Sequence, residues 1–289
     1  MSSYQIQASG LAGGLSSAKT AFVSLSEAER KSFIASQVRV GLNSGNSLIV
    51  PESCIEGACT PVMSHGGVEH QIIYKPAAPE ALELAGALDG YGKALLTLAQ
   101  AKDIADLKDA ASKASSSASA LASAFGGPAI GGVTGAGLGI VNWFVGAYLD
   151  YRRFLDLRDI VNAADPSIGI AQDKLSAIAK KLQLSVIAGK SDDLNWATKA
   201  LTRLRQSGAD RAKLQAAGEQ LVQEAIDLQA YAEMNVQEPF VKMRKAHAAL
   251  RDSLNHPSLD PAAAFAAISE FGKSIDAMNT AIAKLKTDK

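Results

Sequence analysis

The chain has 289 residues, of which 47% are hydrophobic and 6% aromatic, so it can bury a sizeable core in one elongated domain or two compact ones. Its 29 basic and 29 acidic side chains cancel, which removes the long-range field that would favour nucleic acid or an acidic substrate as a partner. Few aromatic residues and frequent Ala, Leu, Ser and Lys are typical of a helical bundle rather than a sandwich or barrel.

Residues 1–25 are mostly small and polar, and they lack the basic start and continuous apolar core of a secretory signal. They predict a flexible N-terminal arm of a protein that is either cytoplasmic or has lost its signal. A helix is expected to begin after Ser26, because Glu29 three positions later completes a capping box. This helix is expected to end near Gly41.

Residues 26–76 combine that helix with a predicted small β-hairpin. The runs "SLIV" and "QIIY" are typical of short strands, and between them lie the two cysteines of the chain, Cys54 and Cys59. Their even number and close spacing favour a disulfide at the tip of the hairpin, formed in an oxidising compartment. Zinc is one alternative, because His65 and His70 complete a ligand set of the type that zinc prefers, with a shorter spacer than in a zinc finger. Two unpaired thiols are the other.

Residues 77–289 predict a bundle of long helices. Apolar residues recur every three or four positions between Leu84 and Leu98, and similar seams follow in later segments. The last helix is expected to begin with Asp260 as its N-cap and Pro261 in its first turn. Helix ends are expected at Pro166, Gly189, Gly208 and near Pro239. Long helices with such seams bury their apolar faces by packing side by side, so we expect an elongated antiparallel bundle.

The segment 114–149 contains no charged side chain. Within it, four glycines recur at every fourth position, so that on a helix they would lie along one face and let another backbone approach closely. They are Gly127, Gly131, Gly135 and Gly139. In water each such glycine costs a helix about 1 kcal/mol relative to alanine, so the pattern predicts a compensating environment.

A lipid bilayer is one such environment, because residues 128–149 have a length close to the roughly 20 residues needed to span its hydrocarbon core. Aromatic and then cationic side chains follow at the end of this stretch, as in a helix end at a membrane interface. They are Trp143, Phe144, Tyr148, Tyr151, Arg152 and Arg153. Residues 114–125 would form the other arm of a hairpin bent at 126–128. A buried hairpin inside a water-soluble bundle, or a glycine-rich loop followed by a helix, are the alternatives.

The hairpin "LASAFGGPAIGGVTGAGLGIVNWFVGAYL", set in a bundle of long helices, resembles α-helical pore-forming toxins of the cytolysin A type. Those toxins store such a hairpin and release it on meeting a membrane. The glycine ladder also resembles the glycine-zipper segments of bacterial envelope lipoproteins and small bacteriocins. Both resemblances cover the hairpin and not the whole chain. They imply a bacterial protein of the envelope or exterior, with the lipid bilayer as its partner.

No catalytic or cofactor motif accompanies the four histidines, and the glycines have neither a Walker A lysine nor the order of a dinucleotide fingerprint. His247 lies in "MRKAHAALRDSL", where we expect a histidine on a helix surface. We therefore expect no enzyme activity and no cofactor.

Two functions are compatible with these features. In the first, residues 127–148 enter the bilayer, the glycines pack in an oligomeric pore, and Trp143, Tyr148, Arg152 and Arg153 anchor the segment at the interface. In the second, the chain is a periplasmic or lipid-tethered scaffold that binds another envelope protein, and the hairpin is internal packing. Either protein is expected to be periplasmic, associated with the outer membrane or secreted, with a signal or lipobox outside this chain.

Overall fold

The computed structural model describes residues 2–43, 47–49, 62–65, 68–71, 75–127, 145–257 and 260–287. These residues contain three short strands, β1 Ser47–Ile49, β2 Val62–His65 and β3 Val68–Gln71. They also contain seven helices: α1 Ser3–Asn43, α2 Ala81–Gln100, α3 Ile104–Phe125, α4 Val145–Gln206, α5 Arg211–Glu233, α6 Glu238–Asn255 and α7 Ala262–Thr287. The expectation of a mainly helical fold is confirmed.

The chain divides into two compact units. Unit 1 comprises Met1–Val23, Glu80–Ala179 and Asn235–Thr280, and unit 2 comprises Ser24–Pro79, Lys180–Met234 and Ala281–Lys289. Helices α1, α4 and α7 each contribute residues to both units. The units therefore interleave along the sequence, whereas the predicted boundaries at residues 25 and 76 divide it consecutively.

The expectation of a flexible arm over residues 1–25 is wrong, because these residues form the first half of α1. Several of their apolar side chains are buried in unit 1, among them Ala8, Leu11, Leu15 and Phe22. Small residues let neighbouring helices come close: a Cβ at Gly14 would lie 2.5 Å from the ring of Phe271 on α7. The glycines and serines of this segment permit close helix packing. The composition alone does not distinguish that role from a flexible loop.

The predicted capping box does not start a helix, since Ser26 and Glu29 lie in the middle of α1. The carboxylate of Glu29 instead accepts hydrogen bonds within unit 2, from the backbone N–H of Ala77 at 3.2 Å and the hydroxyl of Ser185 at 3.1 Å. Glu29 therefore does not cap a helix but links α1 by hydrogen bonds to the chain before α2 and to α4.

Helix α4 runs without a break through two residues that were expected to end helices, Pro166 and Gly189, so both expectations are wrong. Pro166 lies on the exposed side of α4, where the carbonyl that it leaves unpaired can be hydrated. At Gly189 a Cβ would overlap the hydroxyl of Ser32 on α1, so glycine is required for close approach. Packing of the flanking residues outweighs the local preference.

Other helix ends agree with the sequence. Gly208 follows α4 with φ 69°, a left-handed conformation that favours glycine, and Asp210 caps α5 by accepting from the N–H of Lys213 at 2.9 Å. Asp260 accepts from the N–H of Ala262 at 2.9 Å at the start of α7. The seam of α2 between Leu84 and Leu98 is buried as predicted.

The strands form one antiparallel sheet in the order β1-β2-β3. Ile49 lies opposite Val62, and His65 lies opposite Val68. Strand β1 thus pairs with residues 62–64, whereas the sequence predicts the second strand in "QIIY". Cys54 and Cys59 lie outside the described residues.

Candidate functional site

The glycine-rich segment joins α3 to α4, and the structure describes both of its flanks. Helix α3 ends at Phe125, and Gly126 follows with φ 71° in the left-handed region. The N–H of Gly127 donates to the carbonyl of Ala122 at 2.7 Å, so Gly127 completes the cap of α3 instead of continuing the helix. The chain therefore leaves α3 where the bend was predicted.

Gly127 is the one predicted zipper glycine within the described residues. A Cβ placed on it would lie 2.5 Å from the hydroxyl oxygen of Ser167 on α4. Close packing of Gly127 is thus observed, but against a helix of unit 1. Gly131, Gly135 and Gly139 lie outside the described residues, and so do Trp143 and Phe144.

The first arm of the predicted hairpin, residues 114–125, belongs to α3 and packs on α2 in unit 1. Its apolar positions are buried, at Ala114, Ala118, Leu121, Ala122 and Phe125. Among the helices that the structure describes, none combines the length and hydropathy needed to cross a membrane. In this conformation the arm serves as part of a helical core.

The start of α4 carries the aromatic and cationic side chains that follow the apolar stretch. Tyr148 is half-buried, and Tyr151 is 59% exposed. Arg152 pairs with Asp156 at 2.9 Å, and Arg153 pairs with Asp150 at 2.5 Å. Burial raises the pKa of Asp156 although the charge of Arg152 opposes it. Both arginines are therefore neutralised by carboxylates of their own helix.

Two polar bonds link this end of α4 to other described helices or their ends. The guanidinium of Arg153 donates to the carbonyl of Ala101, just after α2. The hydroxyl of Tyr4 on α1 donates to the carbonyl of Asp150 at 3.2 Å, and its ring lies 5.9 Å from that of Phe154. Leu149 and Leu157 are buried, so apolar packing also holds this end of α4 in unit 1.

A buried polar network, which the sequence did not reveal, connects α2, α4 and α6 within unit 1. The hydroxyl of Tyr91 lies 3.0 Å from Nε2 of His247, whose Nδ1 lies 3.2 Å from a carboxylate oxygen of Asp165. Arg251 donates to the other oxygen of Asp165 at 2.5 Å. Because a carboxylate only accepts, we assign the proton of neutral His247 to Nδ1, so that Nε2 accepts from Tyr91.

The expectation that His247 lies on a helix surface is wrong, because its side chain is only 1% exposed. The sequence does contain a signal for burial: His247 continues the buried stripe of α6, at the three- and four-residue steps of Phe240, Met243, Leu250 and Leu254. A polar residue within an otherwise apolar stripe is buried with a partner, and those partners come from other helices.

Burial shapes the protonation of this network. Desolvation lowers the pKa of His247, although the hydrogen bond and charge of Asp165 oppose that shift. The hydrogen bond from His247, aided by the charge and hydrogen bond of Arg251, lowers the pKa of Asp165 against the opposing effect of burial. Burial, together with the charge of Asp165, raises the pKa of Tyr91 well above its usual value. The network thus holds an ionised Asp165 beside a neutral His247 and a neutral Tyr91 near pH 7.

A second buried polar cluster joins α4 and α5 in unit 2. Lys190 lies 3.0 Å from Asp227 and 3.4 Å from Glu224. Gln183 donates to the carbonyls of Tyr231 and Met234 at 2.5 and 2.7 Å. Burial and the charge of Asp227 raise the pKa of Tyr231 to about 12. These pairings place residues 183–190 of α4 and the second half of α5 side by side and antiparallel.

No group of three or more His, Cys, Asp or Glu side chains in the described ranges is arranged to hold a metal ion. The zinc alternative involves Cys54 and Cys59 and therefore stays a prediction, although the backbones of His65 and His70 lie in β2 and β3.

No protein-family model, curated protein or solved structure matches this chain.

Proposed function

We propose that the protein acts at a membrane and that residues 128–149 are the part that enters the bilayer. The observation that carries this proposal is the absence of charge from residue 114 to residue 149. Asp150 ends this stretch, and Tyr151, Arg152 and Arg153 follow it. The glycine cap that ends α3 supports the proposal, because the apolar stretch after that cap has the length of a hydrocarbon core, roughly 20 residues.

The contacts at the start of α4 support a segment that can separate from its neighbours. Since Arg152 and Arg153 pair with carboxylates of α4 itself, moving the first turns of α4 keeps both ion pairs intact. The bonds to be given up are those from Arg153 to Ala101 and from Tyr4 to Asp150, together with local apolar packing. Water or lipid headgroups can replace the polar bonds.

In this proposal several copies insert together, and Gly131, Gly135 and Gly139 pack between helices in the bilayer. Trp143, Phe144 and Tyr148 lie at the interface. The resemblance to pore-forming toxins implies an oligomeric pore made by a bacterial envelope or secreted protein.

Release of a trapped dye from liposomes tests the proposal, with liposome flotation as a measure of binding. We expect the wild type to bind and release dye after mild heating or at low pH, and Gly131→Leu with Gly135→Leu to release much less. The matched control is Gly86→Leu with Gly90→Leu on α2, also four residues apart, where an added Cβ would meet no atom within 4 Å.

Equal leakage from both double variants would refute the proposed packing role of Gly131 and Gly135. Failure of the wild type to bind or leak under any of these conditions would refute membrane action altogether.

One observation favours a second candidate function, a scaffold of the bacterial envelope that binds another protein. One face of residues 114–125 is buried in unit 1, and Gly127 packs against Ser167, so the segment after them would be internal packing too. This function predicts a monodisperse protein that does not float with liposomes even after heating. Flotation therefore separates the two candidates.

We also propose that Cys54 and Cys59 form a disulfide at the tip of a β-hairpin. Because Ile49 lies opposite Val62, the two ends of the connection that contains both cysteines are held together. A disulfide there would place the protein in the periplasm or outside the cell. Alkylation in denaturant without reductant should add no label, whereas two labels would mean free thiols, and two labels only after chelation would mean a metal.

A further inference from the structure

The exposed face of α5 forms a stripe whose chemistry reverses from one end to the other. Seven residues at three- and four-residue steps lie on it: Arg211, Gln215, Gly218, Val222, Ile226, Gln229 and Glu233. Val222 and Ile226 are 59% and 53% exposed. The stripe is cationic at its start, apolar at its centre and anionic at its end, and Val222 is its midpoint.

This stripe is not the face that α5 turns toward α4. The residues of α5 that are buried, Asp227 and Tyr231, contact Lys190 and Gln183 of α4 through a carboxylate and a carbonyl. Tyr231 is nine residues from Val222, which at about 100° per residue is half a turn around the helix. The stripe therefore lies on the opposite side of α5, where no other described helix buries it.

Beyond the N-cap Asp210, the charged residues of the stripe at the two ends of α5 are unfavourable for the helix dipole. Arg211 lies in the first turn, which has no acidic residue, and Glu233 lies in the last turn, which has no basic residue. The helix dipole favours the opposite arrangement at both ends. An antiparallel partner with the same sequence would place an opposite charge beside each of these ends.

We propose that the stripe is a self-association surface, on which a second copy of this chain docks its own α5 antiparallel about a twofold axis at Val222. In that register Val222 meets Val222 of the second copy, and Arg211 meets Glu233. Gln215 meets Gln229. In the single chain their amides donate to Glu219 and Glu233 at 2.9 and 2.7 Å, and in the dimer the two glutamines would exchange hydrogen bonds instead. Ile226 faces Gly218, where a Cβ would have no atom within 4 Å, so the larger side chain has space.

Such a contact is isologous and closes after two copies. Its apolar centre consists of two aliphatic side chains per copy, which is small for a stable dimer. We therefore expect association in the range of about 10–100 µM, weakened by salt because the end charges are exposed. The surface lies outside residues 128–149, so this inference does not rest on the proposed membrane function.

Sedimentation equilibrium of the full chain, from about 1 to 200 µM, tests the proposal. We expect a monomer–dimer equilibrium in the wild type, and Val222→Asp to weaken it at least tenfold because two carboxylates would meet at the axis. The control Leu184→Asp alters an equally exposed apolar residue of α4, 52% exposed, and should leave the dimer intact.

Charge exchange tests the register. Arg211→Glu and Glu233→Arg should each weaken the dimer by about 3–10-fold, and the double variant should restore it. Both changes suit the helix dipole better than the native residues, so unfolding of α5 would not explain a weaker dimer. The circular dichroism spectrum should therefore be unchanged.

A wild-type chain that stays monomeric throughout this concentration range would overturn the proposal. So would assemblies that grow beyond the dimer, equal effects of Val222→Asp and Leu184→Asp, or a double charge variant no better than the single ones. Binding of the wild type to anionic vesicles through this face without self-association would also overturn it, with lipid as the occupant instead.

Discussion

Replacing His247 should change how the stability of unit 1 depends on pH. Because burial lowers the pKa of His247 in the folded state, the folded protein resists the proton that the unfolded chain accepts near its ordinary pKa of about 6.5. The stability supplied by neutral His247 is thus fully present above that pH and is lost as the pH falls toward the folded pKa. Arg251 and Arg244 add to this resistance, whereas Asp165 opposes it.

One proton taken up on unfolding gives a slope of about 1.4 kcal/mol per pH unit. Urea unfolding followed by circular dichroism at a series of pH values between about 5 and 8 should therefore show the free energy of unfolding falling as the pH drops below about 6.5, with a slope that approaches this value. His247→Gln should lower stability at pH 8, since it alters a buried network, and should flatten the slope by about one proton. Asp165 adds nothing in this range, because its lowered pKa moves its own loss of stability to more acidic conditions.

His256 provides the matched control, because it lies at the end of the same helix and is exposed. His256→Gln should leave the slope unchanged. An equal pH slope in the wild type and His247→Gln would refute the reasoning, as would an equal flattening by His256→Gln.

Three further substitutions test the packing and the buried polar groups by thermal or urea unfolding. Tyr91→Phe should cost about 1–3 kcal/mol by leaving Nε2 of His247 buried without a donor, whereas Tyr4→Phe, at an exposed bond, should cost clearly less. Lys190→Met should cost about 3–5 kcal/mol, since Asp227 would be buried without its cation, while Lys113→Met, at an exposed pair, should have no measurable effect. Gly14→Ala should cost about 1–3 kcal/mol by overlapping Phe271, but Gly13→Ala, with open space at the same helix, should stabilise by up to about 1 kcal/mol. Equal effects within any of these pairs would contradict the corresponding packing.

Several local features followed from the sequence because their causes are local. The three- and four-residue steps between Leu84 and Leu98 predicted a buried helical seam, and the left-handed preference of glycine predicted the end of α4 at Gly208. Asp260, as an N-cap residue, likewise predicted the start of α7. In each case the chain needs only its near neighbours to satisfy backbone groups or to place apolar residues on one face.

Other features depended on residues distant in the sequence. Glycines and serines of residues 1–25 were interpreted as a flexible arm, but Gly14 meets Phe271, more than 250 positions away, and α1 is ordered by that packing. The network of Tyr91, Asp165 and His247 likewise joins three helices. The partners of a histidine in an amphipathic segment can be identified only when the packing of the three helices is known.

The sequence by itself determined the helical class, the seam that buries α2, and the charge-free stretch of residues 114–149 that carries the proposed function. The tertiary structure alone decided that α4 continues through Pro166 and Gly189, that α1 begins as early as Ser3, and that His247 is buried. The physical reason is one of scale. A helix-breaking residue costs about 1–3 kcal/mol locally, whereas burial of each flanking aliphatic side chain contributes about 1.5–3 kcal/mol, and only the assembled fold shows which side chains are buried.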